Sequence, residues 1–172
     1  MTDSNSSMRE RILDAAEARA RRGGYNAFSF RELASDVGVK SASVHYHFRT
    51  KPELSEALVR RYTERASERL GDPRMVSGDE ALARVTGLFR DALRRDDRMC
   101  LCGLFGAERD ILPPAVDLAV ADFFRLILDY LSIAFENGMP QAKPEAVLAR
   151  LEGALILARS LRKPELFDSA LA

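Results

Sequence analysis

A chain of 172 residues can form one large domain or two small ones sharing a core. It is 47% apolar and 30% charged, the balance of an ordinary globular protein, and its most apolar region, residues 115–135, carries Asp117, Asp122, Arg125 and Asp129, which exclude a membrane span. Net charge is zero, but residues 1–70 hold 13 Lys and Arg against 10 Asp and Glu, whereas residues 71–172 hold 13 against 16, so the front half has the sign a DNA-binding unit needs.

Residues 1–7 are polar, which argues against a secretory leader. The two cysteines form a C-x-C pair and not a disulfide framework, so the expected compartment is a reducing cytoplasm. No period-two alternation is visible, and Gly and Pro punctuate long helical patterns, so the chain is predicted to be all-α. Capping boxes at Ser7/Glu10, Ser29/Glu32, Thr50/Glu53 and Ser77/Glu80 mark expected helix starts, since each hydroxyl and the Glu three residues on can satisfy free N–H groups.

In chain order, helix 1 is expected over residues 8–22, with Ile12, Leu13, Ala16 and Ala20 inward and Gly23-Gly24 as its stop. Helix 2 spans 30–37 and ends at Gly38; a short helix 3 covers 42–48. Helix 4 follows Thr50 and runs to residue 70, and Gly71-Asp72-Pro73 is the expected hinge. Helix 5 covers 79–95, a short helix 6 covers 101–110, and helix 7 runs over 115–137. Helix 8 starts at Pro144, a favourable first-turn residue, and runs to 161, and residues 164–171 add a last short helix.

The segment from Phe30 to Phe48 carries the function. Leu33, Ala34 and Val37 give helix 2 an inward face, and Ala34 is small enough for a second helix to cross close by. Gly38 permits the turn, Val39 plugs it, and Val44 and Phe48 form the inward face of helix 3. This spacing is that of a helix-turn-helix, whose second helix enters the major groove. At about 100° per residue, Ala42 and Tyr46 point away from that inward face, flanked by Ser43 and His45. Lys40 and Ser41 sit at the helix start, where free N–H groups favour a phosphate. Lys51, at the next helix start, is placed to hold the DNA backbone. His45 and His47, two apart on a helix, diverge and make no metal site.

The run Val44-His45-Tyr46-His47-Phe48-Arg49-Thr50-Lys51-Pro52-Glu53-Leu54 resembles the signature of the tetracycline-repressor (TetR/AcrR) family: an aromatic-rich helix 3 ending in His-Phe, then Ser/Thr-Lys-x-x-Leu. The resemblance covers residues 8–60. Farther on, only the helix count and the Cys-Leu…Glu and Glu-Gly-Ala-Leu elements are similar. The family's Tyr-Tyr pair is here His45-Tyr46. The resemblance implies a homodimer on a palindromic operator, a buried ligand pocket and release from DNA on ligand binding. It divides the chain into a DNA-binding unit, residues 1–52, and a ligand-binding and dimerisation unit, residues 53–172, joined by helix 4.

Helix 7 is apolar nearly all round, which is either plain core or, on the resemblance, the wall of a ligand pocket. The candidate lining residues are Phe89, Leu93, Phe105, Phe123, Phe124 and Ile127, suited to a small apolar or amphipathic ligand. Helix 8 carries Leu151, Gly153, Ala154, Leu157 and Ala158. With Leu161 these are the expected subunit interface, because adjacent Gly and Ala admit close approach of another helix; the alternative is core within one chain. Cys100 and Cys102 lie at the expected start of helix 6 near Arg98, where positive charge and the helix terminus favour a thiolate. They are either small buried residues or, Cys100 above all, sensors of electrophiles or oxidants. No nucleophile–base–oxyanion set and no Gly-rich phosphate loop is visible, so neither an enzyme nor a cofactor is expected.

Three functions therefore compete: a ligand-released repressor, a thiol-based regulator, and a helical protein whose motif binds no DNA. The ligand-released repressor is the leading reading; the sequence is also compatible with activation.

Overall fold

In the computed structural model, residues 2–96, 98–138 and 142–171 are described, and every regular element among them is helical. The helices are α1 (Thr2–Gly23), α2 (Phe30–Val37), α3 (Ser41–His47), α4 (Lys51–Leu70), α5 (Gly78–Asp96), α6 (Leu101–Ala107), α7 (Pro114–Phe135), α8 (Pro144–Ser160) and α9 (Glu165–Ser169). Short 3-10 turns at Tyr25–Ala27, Pro73–Met75 and Arg109–Ile111 lie between them. The last of these takes residues expected in helix 6, so α6 is shorter than its sequence pattern.

Three of the expected capping boxes start helices. The hydroxyls of Ser29, Thr50 and Ser77 accept from the backbone N–H of Glu32, Glu53 and Glu80 at 3.4, 3.3 and 3.2 Å. Ser7/Glu10 does not start a helix, because α1 is already helical from Thr2. The polar residues before Met8 carry no Gly or Pro to stop a helix from extending backwards.

Gly38 ends α2 in the left-handed conformation, φ 73°, and the N–H of Val39 then reaches the Ala34 carbonyl at 2.9 Å. A Cβ at Gly38 would meet nothing within 4 Å, so backbone conformation and not crowding calls for glycine here. The turn sets α3 across α2. Ile12, Leu13, Leu33, Val44, Phe48 and Leu54 are all buried between α1, α2, α3 and the start of α4. Arg19 fastens α2 to α1 by ion pairs to Asp36 at 2.5 Å and Glu32 at 3.1 Å.

One buried cluster runs from Ile12 to Phe167. Helix α4 belongs to both ends of it: Leu54 and Leu58 face the α1–α3 unit, and the helix packs along α7. The expected hinge at Gly71-Asp72-Pro73 is tied down on its α4 side. The Leu70 carbonyl accepts from Arg84 at 2.6 Å and from the buried Tyr130 hydroxyl at 3.0 Å.

Helix α1 is bound to the rest as firmly. Arg61 of α4 is buried against three carboxylates one turn apart on α1: Glu10 at 2.9 Å, Asp14 at 2.9 Å and Glu17 at 3.1 Å. At the other end of α1, Arg21 donates to the Met99 carbonyl at 2.9 Å while the Met99 N–H donates to the Arg21 carbonyl at 3.2 Å.

Candidate nucleic-acid interface and interior cavity

Helix α3 buries Val44 and leaves Tyr46 76% exposed, as the helical phase requires. Ala42 and His45 are exposed beside it, and Ser41, Ser43 and His47 are half-buried. Lys40 stands exposed at the N-cap position with no side-chain cap bond. The face offered to solvent is therefore Lys40, Ala42, His45 and Tyr46, small and polar around one aromatic ring. Its flanks are fixed: the His45 ring lies 4.6 Å from the Phe30 ring and the His47 ring 5.3 Å from Tyr46. Met8 and Val39 border the same face in a shallow depression with Ala42, Ser43, Tyr46 and His47. Arg9, which the sequence pattern did not single out, places its guanidinium 4.9 Å from the Phe48 ring and so props the end of α3 from α1.

Lys51, expected to hold the DNA backbone, is folded back on the protein. Its ammonium lies 4.5 Å from the Tyr25 ring centre and 4.9 Å from that of Phe28, half-buried, and burial lowers its pKa against the pull of Glu32 and Glu108. To hold a phosphate it must turn out from these rings. Behind it, a Glu108 carboxylate oxygen accepts the Tyr25 backbone N–H at 2.6 Å, joining the end of α6 to the α1–α2 turn.

The interior holds a cavity of about 230 Å³ between α1, α4, α5 and α7. Tyr62, Ala66, Leu88, Phe89, Ala92, Cys100 and Phe123 line it, and Glu17, Arg21, Arg65, Arg69 and Asp91 supply its polar groups. Of the six aromatic and aliphatic residues expected to line a pocket, it includes Phe89 and Phe123. Phe105 and Ile127 are core, the former edge-on to Tyr25. Phe124 packs against Phe123 outside the cavity, and Leu93 borders a separate open groove beside α8. Two of its five charged residues, Glu17 and Arg21, went unforeseen because they come from α1, which the sequence assigns to the DNA-binding unit.

The cysteines are not activated in the way the sequence suggested. Both are buried, and burial first and then the Glu152 carboxylate push the Cys100 thiol well above its ordinary pKa. Cys102 is raised by burial, by Cys100 and by Glu152. Cys100 caps α6, its sulfur accepting from the Gly103 N–H at 3.4 Å, but this weak contact does not offset desolvation. Among the described residues no group of three or more His, Cys, Asp or Glu is placed to hold a metal ion.

Helix α8 divides differently from the expected interface. Leu151, Ala154 and Ala158 face inward and are buried within the chain. The outward stripe is Gly153, Ile156, Leu157 and Leu161, the three large residues being 50%, 54% and 57% exposed. A Cβ at Gly153 would meet nothing within 4 Å.

Residues 12–58 match the family model described as bacterial regulatory proteins, tetR family. A TetR-family regulator from Agrobacterium tumefaciens is similar at 28% identity, covering 96% of this chain and 94% of that one, with a TM-score of 0.81. A TetR regulator from Legionella pneumophila is similar at 29% identity over 94% and 91%, TM-score 0.83. The reduced form of E. coli NemR shares the fold at 21% identity over 96% and 94%, TM-score 0.79. A comparison with curated protein sequences gives no match. With a tetR-family helix-turn-helix at residues 12–58 and the same fold along nearly its whole length, this chain is similar throughout to TetR-family transcriptional regulators.

Proposed function

We propose that the protein is a homodimeric repressor that holds a palindromic operator through α3 and leaves it when a small molecule fills the interior cavity. The observation that carries this reading is the composition of the cavity wall. Its apolar part comes from α4, α5, α7 and Cys100 just before α6, but Glu17 and Arg21 come from α1, the first helix of the DNA-binding unit. A molecule bound there touches both halves of the chain. On this reading residues 1–52 bind DNA, residues 53–172 bind ligand and partner, and the protein acts on DNA in the cytoplasm without catalysing a reaction. Lys40, Ser41, Ser43, His45, Tyr46 and Lys51 meet the operator. No described helix is long and apolar enough to cross a membrane.

The dimer uses the outward stripe of α8. Ile156, Leu157 and Leu161 are large apolar side chains, each about half exposed on α8 and its C-cap, and exposed apolar surface of this kind marks an interface. The test is a mobility shift with the protein's own upstream region, repeated over a library of small amphipathic compounds. Specific binding that some of these compounds reverse is the expected outcome. Failure to shift that region at low salt removes it as the operator.

A second reading keeps a place for Cys100, because its sulfur lies in the wall of the same cavity. A reactive electrophile small enough to enter would meet it there. Full alkylation of Cys100 without loss of DNA binding would dispose of this reading and leave non-covalent release as the switch.

A further inference from the structure

We infer that the cavity takes a small carboxylic acid with a single-ring or short-chain body, its carboxylate held by Arg65 and Arg69. The size comes first: about 230 Å³ lies below the ~300 Å³ at which usual ligand clefts begin, so the body is small. The floor is apolar, with Phe89, Phe123 and the Tyr62 ring, the last two 5.4 Å apart.

The polarity of the rim follows from which hydrogen-bonding groups are already used. The acceptors are taken. Glu17 receives Arg21 at 3.2 Å, Arg61 at 3.1 Å and Arg65 at 3.4 Å, and Asp91 receives Arg69 at 2.6 Å. The donors are in surplus. A guanidinium carries five N–H groups. Arg65 uses its own only in long contacts, 3.4 Å to Glu17, 3.5 Å to Asp14 and 3.7 Å to Glu10, and its side chain is half exposed. Arg69 has one short bond, to Asp91, and is likewise half exposed. The Tyr62 hydroxyl, on a side chain sunk in the cavity wall, has no hydrogen-bond partner among the described residues. A ligand that brings acceptors completes this set, and one that brings an ammonium finds its acceptors occupied. A planar carboxylate is the acceptor that matches a guanidinium fork in two parallel bonds.

The same geometry supplies a mechanism for release, and this part rests on the proposed function. Arg65 is one of the two α4 arginines bound to the acidic row of α1. A carboxylate that draws Arg65 into the cavity takes it from Glu10, Asp14 and Glu17 and loosens α1 on α4. Operator DNA must then weaken acid binding by the factor by which the acid weakens DNA binding.

The experiment measures binding to the full-length protein by calorimetry without DNA, using phenylacetate, 4-phenylbutyrate and octanoate, their primary amides, and phenethylamine. At least one acid is expected to bind about tenfold or more tightly than its amide, the difference that charge-assisted bonds supply. Arg65→Gln and Tyr62→Phe should each reduce that preference, and Arg69→Gln provides an independent exposed variant that leaves the core untouched. The inference is overturned if no acid binds at millimolar concentration, if amides bind as well as acids, or if phenethylamine binds best. A mobility shift with the same acids separates the two claims. Acids that bind with the expected preference but leave the operator complex intact refute release and keep the ligand class. Release by amides but not by acids does the reverse.

Discussion

Glu152 projects from α8 against Cys100 and Gly103 at the start of α6, and its two carboxylate oxygens are buried with only the weakly donating Cys100 thiol beside them among the described residues. Gly103 makes the room: a Cβ there would stand 2.5 Å from one carboxylate oxygen. Burial raises the Glu152 pKa from 4.5 to about 7, and the neighbouring Cys100 thiol offsets this only in part. The folded pKa is thus above the unfolded one. Below pH 4.5 the group is neutral in both states. Between 4.5 and 7 the folded protein keeps a proton that the unfolded chain releases, so stability falls with rising pH, and above pH 7 the full cost is present. At 1.36 kcal/mol per pKa unit the cost is about 3 kcal/mol. Glu152→Gln preserves the shape and cannot ionise. It should therefore match the wild type near pH 4 and exceed it by about 3 kcal/mol at pH 8, a gain of roughly 2–4 °C in Tm per kcal/mol for a chain of this size. Urea unfolding from pH 4 to 8 gives the difference directly, provided both proteins are compared at one concentration, since subunit association adds to apparent stability. A gain that does not change with pH, or a variant less stable at pH 8 than the wild type, would refute this account of Glu152.

Leu157→Glu, on the outward stripe of α8, should turn a dimer into monomers in sedimentation without unfolding the chain, because Leu157 is 54% exposed in the single chain. A variant that stays dimeric takes α8 out of the interface. Tyr46→Ala should weaken operator binding in a mobility shift while changing stability by less than about 0.5 kcal/mol, as for other exposed positions. Lys51→Ala should also weaken operator binding, but at a further cost of ~0.5–2 kcal/mol in thermal unfolding from its lost contacts with Tyr25 and Phe28. Equal stability in both variants would mean those rings hold nothing. Gly24→Ala should cost about 1–3 kcal/mol from backbone strain alone at φ 79°, ψ −163°, and more because the new methyl group meets the Glu108 carboxylate. A neutral outcome in calorimetry would show that the α1–α2 turn is not held to α6 by that carboxylate.

What the sequence disclosed was local. Ser29, Gly38 and Thr50 each act on a backbone group within a turn of themselves, so α2, the turn and the start of α4 could be placed from short spacings. The helix boundaries between Gly and Pro residues followed for the same reason. What it did not disclose depends on which face of an apolar helix meets a neighbour. In α8 both Leu151-Ala154-Ala158 and Gly153-Leu157-Leu161 are apolar rows, and only packing against α5 and α7 decides that the first turns inward. In the cavity, Phe105 and Phe123 look alike in sequence, yet one fills core and the other faces space. The Cys100 environment turned on burial and, after it, on Glu152, more than fifty residues away, which together reverse the expectation drawn from Arg98 and the helix terminus. The acids Glu10, Asp14 and Glu17 do form a visible helical row. Their partners Arg61 and Arg65, one turn apart on α4, could have been matched to it by charge and spacing.

The attachments of α1 and α4 decide which helix can carry a change from the cavity to α3. Coupling through α4 alone would require its far end to move, and that end is held at the Leu70 carbonyl by Arg84 and Tyr130. Helix α1 is held at three points: by Arg61 along its acidic row, by Arg21 and Met99 at its C-terminal turn, and through the Tyr25–Glu108 bond just beyond it. Two of these lead straight to α6 and its approach, and the third, with Arg65, borders the cavity through Glu17. Between Ile12 and Leu33 the helix is packed on α2, and Arg9 reaches the end of α3. A displacement of Glu17 or Arg21 is therefore delivered to α3 through one continuous helix, whereas a displacement of α4 must first break the bonds at Leu70. On the proposed release, the α1–α4 contacts at Arg65, the longest of that set, are the first a competing carboxylate would replace.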